Sequence, residues 1–446
     1  MTRRFLYLFL AISSAFGQTI APDAAAQADA FFQALTAQKK FSGAVMIAKD
    51  GQPILAKAYG MANYEWQTPN TIDTRFRVGS ITKQFTAAAI LKLEEQGKLK
   101  TSDAACQYLP ECPEAWKPIT IHQLLTHTSG IKNFTAIPAY SEVKVKPSRY
   151  DAQVKVVLDY PLEFAPGEKF NYSNTGYLLL GKIIEKASAM PFEAYFEKEI
   201  FAPAGMTSTT VEAPGALIPK RAEGYRSNGG KIQRAQFIDM RIPGAAGAVV
   251  STVGDLVLWE RALSGNKVMS AASRARMLTV DKGNYGYGTT VVDVRGKKRD
   301  GHNGGIDGFV SVLQRYGEGN LALVVLSNFE DMPGQVVEPA LQALATGGKV
   351  EMPVERKPIV LPSSTLDEYL GRYELAPNFI LTITREADQL ITQATGQGKI
   401  PVYAEAKDVL FPTAMPATLR ITREDGKVTG LVLQQAGREM KAKKIE

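Results

Sequence analysis

The chain has 446 residues, 45% of them hydrophobic and 22% charged, with a formal net charge of +7. That length exceeds one ordinary core and implies a large domain with a smaller companion. The basic excess is modest, and no dense Lys/Arg cluster is interleaved with aromatics, which argues against a nucleic-acid track and assigns the charge to solvated surface.

The chain opens with Arg3-Arg4, an apolar run from Phe5 to about Phe16, and the small residues Ala15 and Gly17. This reads as a secretory signal peptide over 1–17, cleaved near Gly17. The run is too short for a comfortable transmembrane helix, and no later segment reaches spanning length. The expectation is a secreted or periplasmic protein with no stable membrane span after signal cleavage.

A helix is expected around Ala25 to Ala37. The stretch Phe41 to Tyr59 then reads as two strands joined through Asp50-Gly51, a specific hairpin signal between apolar runs.

Next comes Phe76-Arg-Val-Gly-Ser-Ile-Thr-Lys-Gln-Phe85, with Ser80 and Lys83 three residues apart. On a helix, i and i+3 share a face, so the lysine can lie beside the serine hydroxyl. The spacing alone is weak, because Ser129/Lys132, Ser141/Lys144 and Ser264/Lys267 repeat it. Context separates them. Ser129 and Ser264 are followed by Gly, and Ser141 enters a charged run that ends at Pro147. Ser80 alone stands at the expected N-cap of a strong helix, Phe85 to Leu93, stopped at Gly97. Apolar residues nearly encircle that helix, which marks it as buried. Lys83 is the only charge between Arg77 and Lys92. A lysine near the positive end of a helix dipole, in desolvated surroundings, has its pKa lowered and can act as a neutral base.

Cys106 and Cys112 are the only cysteines, separated by a short loop containing Pro110. An oxidising compartment lets them pair, and the sequence leaves the pairing open. No second cysteine pair or nearby histidine completes a metal ligand set.

From Thr101 to Ala204 the chain is helical and loop-rich, with a helix over 176–189. Strands return at 286–294, 308–316 and 321–327, followed by a helix over 335–345. Strands at both ends of this region suggest an α/β domain whose sheet joins its two ends, with a largely helical insertion, over 18–347. Pro353, Pro358 and Pro362 punctuate a linker over 348–363. Over 364–446, five short alternating strands (379–384, 390–393, 409–411, 419–422 and 428–434) and a turn at Asp425-Gly426 indicate a small all-β barrel or sandwich.

Only three histidines exist, and no Gly-x-Ser-x-Gly elbow occurs. His122 and His127 flank the segment Gln123 to Thr126 and read as structural. No His-Glu-x-x-His site, phosphate loop or dinucleotide fingerprint appears, so no metal, nucleotide or flavin cofactor is expected. Two further stretches carry chemistry. Pro166-Gly-Glu-Lys-Phe-Asn-Tyr-Ser-Asn174 offers a phenol at Tyr172 and a carboxamide at Asn174. Gly301-His-Asn-Gly-Gly305 lets a substrate approach the backbone closely.

Taken together, Ser80-Ile-Thr-Lys83, Tyr172-Ser-Asn174 and His302-Asn-Gly304 resemble the three ordered motifs of the serine β-lactamases and penicillin-binding proteins. The resemblance is to the class C β-lactamase-like branch, with its carboxypeptidases, esterases and D-amino-acid peptidases. It runs from about Phe41 to Ala345 and extends to Phe76-Arg-Val-Gly79, Leu124 to Gly130, Pro166-Gly167 and Gly247 through Asp255. It implies a β-lactamase/transpeptidase-like fold and an acyl-enzyme on Ser80, with Lys83 and Tyr172 sharing base and acid duties. Asn174 would orient Lys83 and the substrate, while the backbone N–H groups of Ser80 and Gly305 would form an oxyanion hole. His302, Asn303, Gly304 and Gly305 would line the substrate site, with His302 contacting a substrate carboxylate or the Tyr172 hydroxyl. His302 stands where many β-lactamases have lysine, which favours a peptidase or esterase. The alternatives are a β-lactamase with turnover, or a penicillin-recognising sensor that does not turn over. The implied partners are D-amino-acid peptides, esters or β-lactams, and the tail resembles the lipocalin-like domains appended to some members.

Overall fold

The computed structural model describes residues 20, 23–146, 151–228, 231–317, 321–412, 417–435 and 438–446; the signal segment expected over 1–17 lies outside the described residues. Helix α1 (Ala24–Ala37) leads to strands β1 (Gly43–Lys49) and β2 (Gln52–Tyr59). Asp50 and Gly51 join these strands with φ of 52° and 74°. Positive φ at both central residues gives the turn whose twist suits two antiparallel strands.

The remaining strands of the sheet come from the far end of the unit: β3 (Thr290–Val294), β4 (Lys297–Ile306), β5 (Phe309–Tyr316) and β6 (Leu321–Ser327). The order is β3-β4-β5-β6-β1-β2, antiparallel throughout. Strands β1 and β6 pair from Gly43↔Ser327 to Lys49↔Leu321, so the two ends of the domain do meet in one sheet. All seven residues of β6 are buried. This is why it reads as a continuous apolar run rather than an alternating one.

The strand expected from Gly286 begins only at Thr290. Residues 286–289 instead turn against the helix that carries Lys83. A Cβ on Gly288, whose φ is +67°, would stand 2.4 Å from the Lys83 carbonyl oxygen. Only glycine permits that approach, and the chain must bend away before pairing can start.

Helix α2 (Thr82–Glu95) runs through the core. The polar side chains of its first turns, Thr82, Gln84 and Thr86, are buried but bonded, which ties it to its neighbours. Thr86 Oγ1 donates to Ala245 O at 2.6 Å, Trp259 Nε1 donates to Gln84 Oε1 at 2.8 Å, and Val249 N donates to Thr82 Oγ1 at 3.1 Å. Ser80 is not its N-cap. It lies in a separate 3-10 turn, Gly79–Ile81, and neither this turn nor α2 has a side-chain cap hydrogen bond. The hydroxyl is thereby left for other contacts. The buried helix α3 (Asn174–Ser188) starts at Asn174, two residues before the expected position, so Tyr172 and Asn174 sit at its entrance. Helix α4 (Val253–Ser264) packs on the sheet and brings Glu260 to Arg315 of β5, 2.8 Å away. Cys106 and Cys112 form a disulfide, with Cα atoms 5.6 Å apart.

The chain divides into two compact units, one of residues 1–332 and 341–350, the other of residues 333–340 and 351–446. In the second, eight consecutive strands close into a barrel: β7 (Gly371–Ala376), β8 (Phe379–Glu386), β9 (Gln389–Ala394), β10 (Ile400–Ala406), β11 (Val409–Pro412), β12 (Ala417–Glu424), β13 (Lys427–Gln435) and β14 (Arg438–Lys444). Closure is through Tyr373↔Lys444 and Glu374↔Lys443, which leaves no open edge. Tyr373, Ile383, Leu410 and Leu431 are among the side chains that fill the interior. Strands β7, β10 and β14 are additional to the five expected from sequence. Pro401 interrupts the pattern in β10, and five of the seven residues of β14 are charged, which hides the usual alternation.

The turn bearing Ser80 is pressed onto β4. Ser311 Oγ of β5 donates to Val78 O at 2.8 Å, directly over Gly304, its partner in the ladder. A Cβ on Gly304 would lie 2.1 Å from that same carbonyl oxygen. The substitution Gly304→Ala is therefore expected to lower stability by about 1–3 kcal/mol, the usual range for overpacking. Urea unfolding measures this, and an unchanged midpoint would contradict so close an approach.

Candidate active site

The entrance of α2, the entrance of α3 and the edge of β4 converge on Lys83. Its side chain is fully buried. Nζ lies 3.0 Å from Ser80 Oγ, 2.8 Å from Asn174 Oδ1 and 2.8 Å from Ala246 O. None of these partners is charged, and burial drives the pKa of Lys83 well below its ordinary value. The neutral amine fits the three contacts. Its two N–H groups serve Asn174 Oδ1 and Ala246 O, which can only accept, and the lone pair remains for the Ser80 hydroxyl proton. Lys83 and Ser80 are thus set up for proton transfer between them.

Tyr172 covers the amine, its ring centroid 5.0 Å from Nζ. Burial raises the pKa of its hydroxyl, which is in hydrogen-bond contact with Ser80. The phenol therefore stays protonated through the neutral range. Asn174 is held from behind: its N–H donates to Asn133 Oδ1 at 3.1 Å and its Nδ2 to Thr135 Oγ1 at 3.3 Å.

Strand β4 supplies the opposite wall. Gly301 N–H donates to Thr289 Oγ1 at 3.1 Å, and Gly301 O accepts from Thr290 Oγ1 at 2.9 Å. Both groups of Gly301 therefore face β3. Alternate residues of a strand direct their backbone groups the same way, so Asn303 and Gly305 follow Gly301. Beyond Thr290↔Gly301 no residue of β3 pairs with β4, and Asn303 and Gly305 are exposed. A Cβ on Gly79 would lie 2.9 Å from Gly305 N. The Gly305 N–H thus adjoins the first residues of the Ser80 turn, where helical N–H groups lack intrahelical acceptors.

His302 faces a different partner from the one the resemblance implied. Nε2 lies 2.8 Å from the Tyr285 hydroxyl and Nδ1 2.5 Å from Asn303 O. A carbonyl only accepts, so Nδ1 carries the proton and Nε2 accepts from Tyr285. Burial pushes the pKa of His302 down to about 3. A neutral imidazole with both nitrogens engaged is no cation for a substrate carboxylate. Neither nitrogen is bonded to Tyr172, whose ring centroid is 6.2 Å from that of His302.

His127 belongs to this site, whereas the sequence left it as a structural residue. Its ring lies 4.3 Å from that of Tyr172, 5.0 Å from Tyr177 and 4.7 Å from Tyr285. Its Nδ1 accepts from Ser173 N–H at 3.1 Å, and burial holds it neutral. His122 lies apart, bonded to the Tyr287 hydroxyl at 2.8 Å. Sequence reading also missed Tyr285 and Ala246. Each immediately precedes a glycine, Gly286 and Gly247, and that placement was the only signal in the sequence.

A model described as "Beta-lactamase" matches residues 28–347. The chain belongs to the β-lactamase family. A second model, described as "Domain of unknown function (DUF3471)", matches residues 355–446 of this β-lactamase-family chain. Penicillin-binding protein 4* of Bacillus subtilis is 27% identical, over 92% of this chain and 96% of its own. A D-aminopeptidase of Gluconobacter oxydans is 27% identical, over 75% of this chain and 65% of its own. The octameric penicillin-binding protein homologue from Pyrococcus abyssi superposes with a TM-score of 0.68 at 26% identity, over 94% of this chain and all of the other. The protein is a serine hydrolase of the β-lactamase family, with the β-lactamase/transpeptidase fold followed by a closed barrel.

The Tyr285→Phe variant removes the donor to His302 Nε2 and leaves a buried acceptor unpaired. The expected cost is about 1–3 kcal/mol of stability, measured by chemical unfolding. No loss would show that His302 finds another partner.

Proposed function

We propose that the protein is an exported enzyme that cleaves D-amino-acid-containing peptides through an acyl-enzyme on Ser80, and hydrolyses small esters by the same chemistry. The observation that carries this reading is the buried, neutral Lys83 held by two acceptors with its lone pair toward Ser80. Similarity to a D-aminopeptidase supports the choice of D-residues, and a neutral His302 in place of a cationic lysine supports a peptidase over a dedicated β-lactamase.

Ser80 Oγ attacks the scissile carbonyl while its proton passes to Lys83, turning the amine into an ammonium. The Ser80 and Gly305 N–H groups receive the developing oxyanion. As the C–N bond breaks, Tyr172 gives its proton to the leaving nitrogen and regains one from Lys83. The acyl-enzyme and a free amine result. Water then attacks the ester, with Lys83 and Tyr172 taking its proton and returning one to Ser80. Asn174 holds Lys83 in register throughout.

A fluorophosphonate probe is expected to label the wild type and not Ser80→Ala; equal labelling would sink the nucleophile assignment. The variant Lys83→Ala should acylate about 10²–10⁴-fold more slowly, as for loss of a general base. Because burial lowers the Lys83 pKa, the amine is neutral at neutral pH. Acylation should therefore hold level through the neutral range and fall as acid protonates Lys83. Burial keeps Tyr172 protonated, so it adds no fall there. A rate that climbs tenfold per pH unit through neutrality would instead report a charged Lys83.

A further inference from the structure

A cavity of about 310 Å³ opens beside the site, with Tyr172, His302 and Asn303 in its wall and Phe170, Tyr285 and Arg299 beyond them. Its position relative to the reaction is set by Tyr172. On the function proposed above, Tyr172 protonates the leaving nitrogen, so the departing half of the substrate lies on the side where this cavity opens.

Arg299 is the cation of that cavity. Its Nη1 is buried and has no hydrogen-bond partner among the described residues, and no carboxylate there pairs with it. The arginines of the other large cavity differ. Arg77 and Arg221 are bound to Glu212, and Arg234 to Glu65. A guanidinium beside aromatic walls, with an N–H buried and unsatisfied, is a receptor for an anion, best of all a carboxylate. His302, being neutral and doubly engaged, does not compete for it.

The strand gives the distance. Arg299 precedes Gly305 by six positions on β4, which at about 3.4 Å per residue sets their backbones about 20 Å apart. The arginine side chain recovers only part of that span. A carboxylate on the first residue after the scissile bond lies within roughly one residue length, about 3.4 Å, of the reacting carbonyl and falls short. A carboxylate one residue further on, about 7 Å out, closes much of the gap, and one two residues further on, about 10 Å out, reaches Arg299.

We propose that this cavity is the leaving-group subsite and that Arg299 selects peptides whose departing part is two or three residues long and ends in a free carboxylate, rather than a single C-terminal amino acid. Phe170 and Tyr285 supply the apolar walls against which that segment lies. Arg299 touches the substrate far from the reacting atoms, so its contribution is to specificity.

The inference rests on the acyl chemistry of Ser80, and its test separates the two. Acyl-D-alanyl peptides with leaving groups of one, two and three glycines are compared as free acids and as C-terminal amides, alongside a p-nitrophenyl ester. For the wild type, kcat/KM should rise from one glycine to two or three. Amidation of the longer substrates should cost about 10- to 100-fold, as for loss of a charge-assisted contact. The variant Arg299→Ala should cleave acid and amide alike while hydrolysing the ester at the wild-type rate, and Arg299→Lys should recover part of the preference. Equal cleavage of acid and amide by the wild type, a preference that survives Arg299→Ala, or fastest release of a single glycine would each overturn the subsite with ester hydrolysis intact. A wild type that hydrolyses neither ester nor peptide would overturn the acyl-enzyme reading, and the subsite with it.

Discussion

The site depends on an amine kept out of water. Lys83 is buried among neutral partners, and an ammonium held there would forfeit its hydration with no carboxylate to replace it. Deprotonation relieves that cost, so the same burial that disfavours the charge creates the base. The surroundings then assign its orientation. Two acceptors from separate elements, Asn174 at the start of α3 and Ala246 in the segment before α4, take the two hydrogens. The one direction left leads to Ser80.

A second constraint places the electrophile. The proposed oxyanion hole needs the Ser80 turn to sit against the edge of β4 closely enough for its N–H groups and that of Gly305 to serve one oxygen. Ser311 holds the Val78 carbonyl over Gly304, and Gly304 has no side chain to keep it away. The ending of β3 opposite Gly301 is equally necessary, because a longer strand would cover the Asn303 and Gly305 edge. That ending follows from the crowding of residues 286–289 against α2, so the packing of the Lys83 helix also determines how much of the sheet edge lies open.

The parts of this arrangement legible in sequence were those governed by local rules. Asp50-Gly51 and Asp425-Gly426 announced their turns because both positions need positive φ. The apolar α2 announced a buried helix, and Lys83, the only charge between Arg77 and Lys92, announced a shifted base. The cap was misread because Ser is a good N-cap in general, whereas here a 3-10 turn precedes the helix and leaves the hydroxyl to Lys83. Charged β14 was unreadable as a strand because its pairing with β13 and its closure onto β7, rather than an alternating side-chain pattern, determine it. His127 and Tyr285 were invisible for a similar reason. Their importance is a matter of which rings they meet, and those rings come from segments far apart in the chain.

On the proposed function, chemistry and selectivity are carried by different kinds of residue. Ser80, Lys83, Tyr172 and Asn174 act through contacts a few ångströms long at helix entrances, where short motifs suffice to specify them. Arg299 sits six positions upstream on an extended strand, in no motif, and its meaning lies in what it lacks: a partner for a buried N–H. Leaving a cation in that condition carries a desolvation penalty that a core would remove by pairing or substitution. Arg77, Arg221 and Arg234 are paired in that way. A site that binds an anion must keep its donor unsatisfied in the free protein, so that the substrate, rather than a neighbouring glutamate, completes it.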